Sequence, residues 1–248
     1  MGFFGKLFGG DSNGKAPRQD EGIEVKGLPY SLVAVPGEGA LRRWKELQAA
    51  GQSEGFTPVI LGDMEDMRQL WDVGDTITET PEALAERAVA LDVRQWLAER
   101  PDSEPAEFEV EEGEWPDEEM EDCGFKVIAD DDGEKFKETV YIAKIPTREA
   151  WQVPLYLRIG DWNECPPPEV HAAIARYWQE KYGAVLVCAR YDTLEYHVAR
   201  PPVDRQAAQA LAREQFIYCT DIVHQGTETL NGLAATLLQG EKWYFWWD

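Results

Sequence analysis

The chain has 248 residues, enough for one large domain or two small ones with a buried core. Its 24 Lys and Arg stand against 47 Asp and Glu, a net charge of −23, which argues against a general binder of nucleic acid or anionic membrane and favours a basic partner. Hydrophobic residues make up 44 %, with ten tryptophans, so the composition is that of a folded chain and not a disordered one.

The first eight residues, Met-Gly-Phe-Phe-Gly-Lys-Leu-Phe, put Phe3, Phe4, Leu7 and Phe8 on one arc when wound as a helix. Two readings follow: a sticky end that docks on its own domain or a neighbouring copy, or a weak contact with a membrane surface. Residues 9–22, rich in Gly, Asp, Ser and Asn, read as a flexible tether, so residues 1–22 form an amphipathic N-terminus and linker. The segment lacks the apolar run and cleavage site of a secretory signal, and no stretch reaches the length of a membrane span. Cys123, Cys165, Cys188 and Cys219 are scattered without a CxxC pair. The expected compartment is a reducing cytoplasm, with attachment at the membrane periphery as the variant that the N-terminus allows.

Residues 23–145 read as a smaller α/β region. A short apolar strand over 31–35 ends at Pro36-Gly37, and Ala40, Leu41, Trp44 and Leu47 make a helical stripe closed by Gly51 and Gly55. Thr57 to Leu61 is a second buried strand, so the order strand, helix, strand predicts a βαβ unit with parallel pairing. The Pro36-Gly37-Glu38-Gly39 turn has no phosphate-loop spacing. Thr80-Pro81-Glu82 opens a helix, expected to run to Arg100. Residues 102–122 then hold 12 acids and no Lys or Arg, about half of the net charge, and read as an acidic insert. Its apolar residues Phe108 and Trp115, with Val110, are more than a solvating tail needs, which marks Phe108 and Trp115 as binding candidates for a partner. Residues 124–128 and 138–144 are expected to flank a hairpin turn at 130–133, where no EF-hand frame is present.

Residues 146–248 carry the stronger signals. Trp162-Asn163-Glu164-Cys165 leads into three prolines, the last of which can open a helix that runs to Tyr182 and is capped by Gly183. Residues 184–190 and 193–199 read as a hairpin, with Glu195 and His197 on its polar face. Asp204 caps a further helix, Leu230 to Leu238 supply another apolar stripe, and Trp243 to Trp247 read as a strand apolar on both faces, hence central. The whole predicts an α+β fold: a mixed β-sheet flanked by helices, with a smaller N-terminal α/β segment and an acidic insert.

The run Trp162-Asn163-Glu164-Cys165-Pro166-Pro167-Pro168-Glu169-Val170-His171 resembles the bacterial domain-of-unknown-function family numbered 4253. So do Asp192-Thr193-Leu194-Glu195, Ala199-Arg200-Pro201-Pro202, Tyr218-Cys219 with Asp221-Ile222-Val223, Gln225-Gly226-Thr227 and the terminal Trp243 to Asp248. The resemblance spans about residues 146–248. It implies a C-terminal α+β domain in bacterial cytoplasmic proteins, and it brings no activity with it. His224 stands where the family pattern is more often acidic.

Among the residues with chemistry to offer, Cys165 precedes a helix N-terminus and His171 lies one turn inside, the layout of a Cys–His nucleophilic pair, with Asp221 as the third candidate. Pairing Cys165 and His171 with Cys219 and His224 gives residue types that suit zinc at spacings that do not, so no metal and no cofactor is expected. Trp162, Asn163, Glu169, Tyr218 and Gln225 are the binding candidates of the loops at 162–171 and 218–225, which both precede helices and are expected to converge. The functional expectation is a non-enzymatic cytoplasmic interaction protein that binds a basic protein partner through an acidic surface, an immunity-type protein being one concrete form. The alternative is a hydrolase-like or other enzyme with its site between those two loops.

Overall fold

The computed structural model describes residues 23–24, 29–103, 105–117, 124–130 and 132–248. Phe3, Phe4, Leu7 and Phe8, the tether over 9–22 and Cys123 lie outside the described residues, as do positions 118–122 of the acidic insert.

Among the described residues seven strands form one mixed sheet: β1 (Ile23–Glu24), β2 (Ser31–Val35), β3 (Thr57–Ile60), β4 (Val140–Ile145), β5 (Ala184–Ala189), β6 (Thr193–Val198) and β7 (Lys242–Trp246). Their order across the sheet is β1-β2-β4-β3-β5-β6-β7. The expected parallel pairing of the first βαβ unit does not occur. β4 lies between β2 and β3 and is antiparallel to both, with Val33 opposite Ile142 and Val59 opposite Ala143. Among the described residues only β3 and β5 pair in parallel, at Ile60 and Cys188, and this seam joins the strands before residue 146 to those after it.

Eight α-helices among the described residues cover the sheet: α1 (Ala40–Glu54), α2 (Met64–Gly74), α3 (Pro81–Ala90), α4 (Val93–Ser103), α5 (Val153–Leu157), α6 (Pro168–Tyr182), α7 (Arg205–Tyr218) and α8 (Leu230–Leu237). The two faces are covered unequally, and the period-2 alternation of strand side chains sorts residues between them. Leu32, Val59 and Ala143 face a large core built with α2 through α8. Val33, Ile60 and Ile142 face a smaller one closed by Trp44 and Leu47 of α1 and by a 3₁₀ turn at Lys126–Ile128. The Trp44 indole donates to the Pro58 carbonyl at 2.9 Å, tying α1 to β3.

Local chemistry explains most helix ends. Thr80 Oγ1 accepts from Ala83 N ahead of Pro81, Asp204 accepts from Ala207 N, and Gly183 ends α6 in the left-handed region at φ 65°. The single helix expected from Pro81 to Arg100 is two. Asp92 Oδ1 accepts from Arg94 N and Gln95 N, and this new cap restarts the helix after an extended Leu91. α2, absent from the expected elements although Met64, Met67, Leu70 and Trp71 recur at helical spacing, begins at a capping box in which Asp63 and Asp66 satisfy each other's backbone N–H groups.

The expected hairpin shrinks to one bridge, Ala129 with Phe136, because residues 126–128 coil into the 3₁₀ turn. That turn also corrects the reading of Glu195. The residue does not face solvent: it is fully buried, its carboxylate accepting from Lys126 N at 2.6 Å and Val127 N at 3.2 Å. Burial raises its pKa against the lowering effect of the two amides. Glu195→Ala is expected to cost about 1–3 kcal/mol, the penalty for orphaned buried donors, and to expose the Lys126 and Val127 amides to fast hydrogen exchange while the β5 amides stay protected. Unchanged exchange at both would remove the carboxylate from that role. β7 is likewise an edge strand and not a central one: Trp243 and Phe245 are buried beneath the helices, while Tyr244 and Trp246 on the other side are half-buried.

Candidate functional site

The segment between α5 and α6 turns tightly on itself. Arg158, Gly160, Asp161 and Asn163 all take left-handed backbone conformations, at φ 53°, 99°, 65° and 43°. Three of the four are not glycine, a concentration of strained backbone that surrounding contacts must hold. Asp161 N donates toward the Cys165 and Pro166 carbonyls, and Cys165 N donates to the Trp162 carbonyl. Gly160 sits where a Cβ would fall 1.8 Å from the Pro166 carbonyl oxygen and 2.7 Å from His171 Nε2. The bend therefore presses the loop onto the first turn of α6, which brings Cys165 and His171 together.

Cys165 Sγ lies 3.4 Å from His171 Nε2, and His171 Nδ1 lies 2.5 Å from the Tyr218 hydroxyl at the end of α7. The sequence spacing brings out the first contact, and the fold adds Tyr218, 47 residues away. All three are sealed: Cys165 is 3 % exposed and the other two 0 %. Tyr218 and Trp247 meet the His171 ring edge to face at centroid distances of 5.5 and 5.3 Å, and Trp178 stacks parallel to Phe245 behind them. Burial, reinforced by Arg100, holds the His171 pKa down at about 3, so the ring is neutral, donating through one nitrogen and accepting through the other. Burial and the neighbouring Cys219 push the Cys165 thiol well up, the opposite of an activated nucleophile. Cys219, whose thiol burial pushes up to about 12, donates to the Trp246 carbonyl at 3.0 Å.

Asp221 does not join this relay. Its Oδ1 accepts from Gln225 Nε2 and its Oδ2 from the backbone N–H of Asp248, while Asn163 Nδ2 donates to the Asp248 carbonyl at 3.1 Å. The 162–171 and 218–225 loops thus do converge, and they do so around the terminal Asp248. Their second link is Arg100 of α4, which sequence reasoning passed over because nothing local marks it. Its guanidinium donates to the Glu164 carbonyl at 2.9 Å and the Tyr218 carbonyl at 3.2 Å, under the Trp96 ring at 4.9 Å. Gln225 belongs to a π-helical turn, Ile222–Thr227. Trp162 packs against Tyr191 at 5.7 Å, and Glu169 pairs with Arg87 at 3.3 Å. His224 turns to the Glu107 carbonyl and the Phe216 ring, so the Cys165, His171, Cys219, His224 set is not gathered. Among the described residues no cluster of three or more His, Cys, Asp or Glu side chains is placed to hold a metal ion.

The described part of the acidic insert is a strap laid over α7 and α8. After a 3₁₀ turn at Pro105–Phe108, the Glu111 and Glu112 carbonyls accept from Leu230 N and Asn231 N, the orphan donors at the start of α8. Asn231 Nδ2 returns a bond to the Gly113 carbonyl. Gly113, at φ 68°, lies so close to Thr229 that a Cβ would come within 2.5 Å of it. Phe108 meets Phe216 edge to face at 6.1 Å, Val110 packs on the large core, and the Trp115 ring takes the Arg205 guanidinium at 4.5 Å. Phe108 and Trp115, expected as contacts for a partner, are thus used within the chain. The outward side of the strap carries Asp102, Glu109, Glu111, Glu112, Glu114 and Asp117, all exposed. Glu112 pairs with Arg213.

Among the described residues no helix is long and apolar enough to cross a membrane. No curated protein and no solved structure matches the chain. The family model described as Domain of unknown function (DUF4253) matches residues 141–248, the C-terminal part of the chain that holds the strained loop, the buried Cys–His–Tyr relay and the π-helical turn.

Proposed function

We propose that the protein is a non-enzymatic binding protein that meets a basic protein partner through its acidic strap, in the manner of an immunity-type protein that neutralises by occupying its target. The observation that carries this reading is the division of labour along residues 105–117: the apolar side chains and backbone carbonyls are spent on α7 and α8, which leaves a row of carboxylates fixed outward. A row held in place loses little conformational freedom on binding, and its field speeds encounter with a cationic surface. The sealed Cys165–His171–Tyr218 relay favours the same reading, since a neutral imidazole and a protonated thiol behind aromatic packing support the loop and offer no open reaction centre.

The test replaces Glu109, Glu111 and Glu114 with Gln and Asp117 with Asn, all exposed positions whose side chains make no hydrogen bond or ion pair among the described residues. Recovery of a basic partner from the native host, sensitive to salt for the wild-type chain, should be lost, and the association rate with that partner should fall on the order of tenfold or more at low ionic strength. If the variant retains every co-purifying protein, the strap is not the binding surface and the reading fails.

A further inference from the structure

A second surface has the chemistry to receive part of such a partner. Between α3 and the Ala150–Leu157 segment lies an open groove of about 480 Å³. Its floor and walls include Ala85, Val89, Trp151 and Tyr156, with Glu82 and Glu86 standing over it from α3. Val89 is 56 % exposed, unusual for a large apolar side chain in this fold. The aromatic rings are fixed from behind: Trp151 Nε1 donates to Glu149 at 3.1 Å, and the Tyr156 hydroxyl reaches the Pro146 carbonyl at 3.4 Å.

Glu82 and Glu86 are one helical turn apart, an arrangement in which like charges repel. Neither has an ion pair or hydrogen bond among the described residues, whereas the neighbouring cations are engaged, Arg87 with Glu79 and Glu169, and Arg176 with Glu180 and with the Trp151 ring at 5.7 Å. The groove thus combines half-exposed aromatic and aliphatic surface with two uncompensated carboxylates. A purely apolar occupant would strip water from those carboxylates without replacing it, and an anionic one would be repelled. A Lys or Arg side chain satisfies both halves, laying its methylene stem on Ala85, Val89 and the rim of Trp151, whose ring already takes Arg176, and placing its charge between the carboxylates beside Tyr156.

We propose that this groove is the docking site for a basic peptide segment of the partner, in which arginine or lysine alternates with apolar residues. The inference rests on the basic-partner reading above and adds to it a site some distance along the chain from the strap. The probe is a fluorescein-labelled hexapeptide alternating leucine and arginine, with a leucine–glutamate counterpart, titrated into the full chain and followed by anisotropy. The arginine peptide should bind and the glutamate peptide should not. The double variant Glu82→Gln, Glu86→Gln and the single variant Trp151→Leu should each weaken binding roughly tenfold. The strap variant should change it less than twofold. Circular dichroism melts of all variants confirm that the fold is kept. If the groove variants bind like the wild type and the strap variant alone weakens binding, the groove proposal falls and the basic-partner reading stands. If the peptide binds to none of them, both fall. Sensitivity to the glutamates without sensitivity to Trp151 would reduce the groove to surface charge and overturn it. Self-association abolished by Trp151→Leu would assign the groove to a second copy. Displacement of the probe by a peptide of residues 1–10, at lower concentration than by unlabelled probe, would assign it to the chain's own N-terminus. Either result overturns the proposal.

Discussion

Gly160→Ala is expected to lose more than about 4 kcal/mol of stability, or to leave no soluble protein, a size reserved for mutations that break a packed or strained backbone. Two effects combine. At φ 99° an L side chain is strained whatever surrounds it, and here the added methyl would also overlap the Pro166 carbonyl oxygen and crowd His171 Nε2. Neither obstacle can step aside, because Pro166 is held between Cys165 and two further prolines and the His171 ring is packed on all sides. Gly133→Ala separates the two contributions, since Gly133 has φ 71° with nothing within 4 Å of the would-be Cβ. It should cost only the left-handed penalty, about 1–2 kcal/mol. Urea denaturation of both variants gives the comparison, and equal losses would show that the close approach at Gly160 is not what holds the loop.

The second large effect lies in acid. The His171 pKa is about 3 in the folded chain, against the ordinary 6.5 that the unfolded chain recovers. Above pH 6.5 the ring is neutral in both states, and folding is indifferent to pH on its account. Between pH 6.5 and about 3 the unfolded chain binds a proton that the folded one refuses, so stability falls as pH falls, by about 1.4 kcal/mol per pH unit. Carboxylates with lowered pKa, Asp63 among them, act in the same direction only nearer their own range. Glutamine at position 171 has nothing to protonate, so the difference between wild type and His171→Gln should narrow steadily from pH 6.5 to pH 4. Urea midpoints at several pH values measure it. Parallel profiles would mean that the ring is reached by water and charged in the folded state.

How far these features can be read from the sequence depends on how local their causes are. The ends of α6 are legible because Pro168 and Gly183 impose their backbone preferences wherever they stand, and the same holds for Thr80 and Asp204 as caps. The meeting of Cys165 and His171 is legible for the same reason: six residues across a helix start leave few other outcomes. Asp92 and the Asp63–Asp66 box are equally local: the first is masked by an apolar pattern that continues through Leu91, and the second stands openly in the sequence, ahead of Met64, Met67, Leu70 and Trp71 at helical spacing. Glu195 is different. Period-2 alternation assigns it correctly to the face opposite Leu194 and Tyr196, and only the distant 126–128 turn makes that face an interior. Tyr218 is singled out in the sequence as a loop residue, but its bond to His171 and the place of Arg100 follow from packing of α7 and α4, over separations at which sequence pattern carries no signal. The strap was legible as charge and as three apolar residues. That those residues serve the chain itself follows from the positions of Phe216, Arg205 and Thr229, which no spacing within residues 102–122 contains.

The seat of β4 between β2 and β3 has a consequence for the order in which the protein can be made. As the chain leaves the ribosome, β2 and β3 emerge early, yet the strand that must pair with both begins 80 positions after Ile60, at Val140. At typical synthesis rates this leaves the slot between them empty for on the order of 4 to 16 s. The strand edges that border it, with Val33 and Val59 along them, are unpaired backbone of the kind that recruits strands from other chains. The stretch translated during that interval includes the 12 acids of residues 102–122. Nascent chains carrying that charge repel one another throughout the period in which their open slots are most able to join.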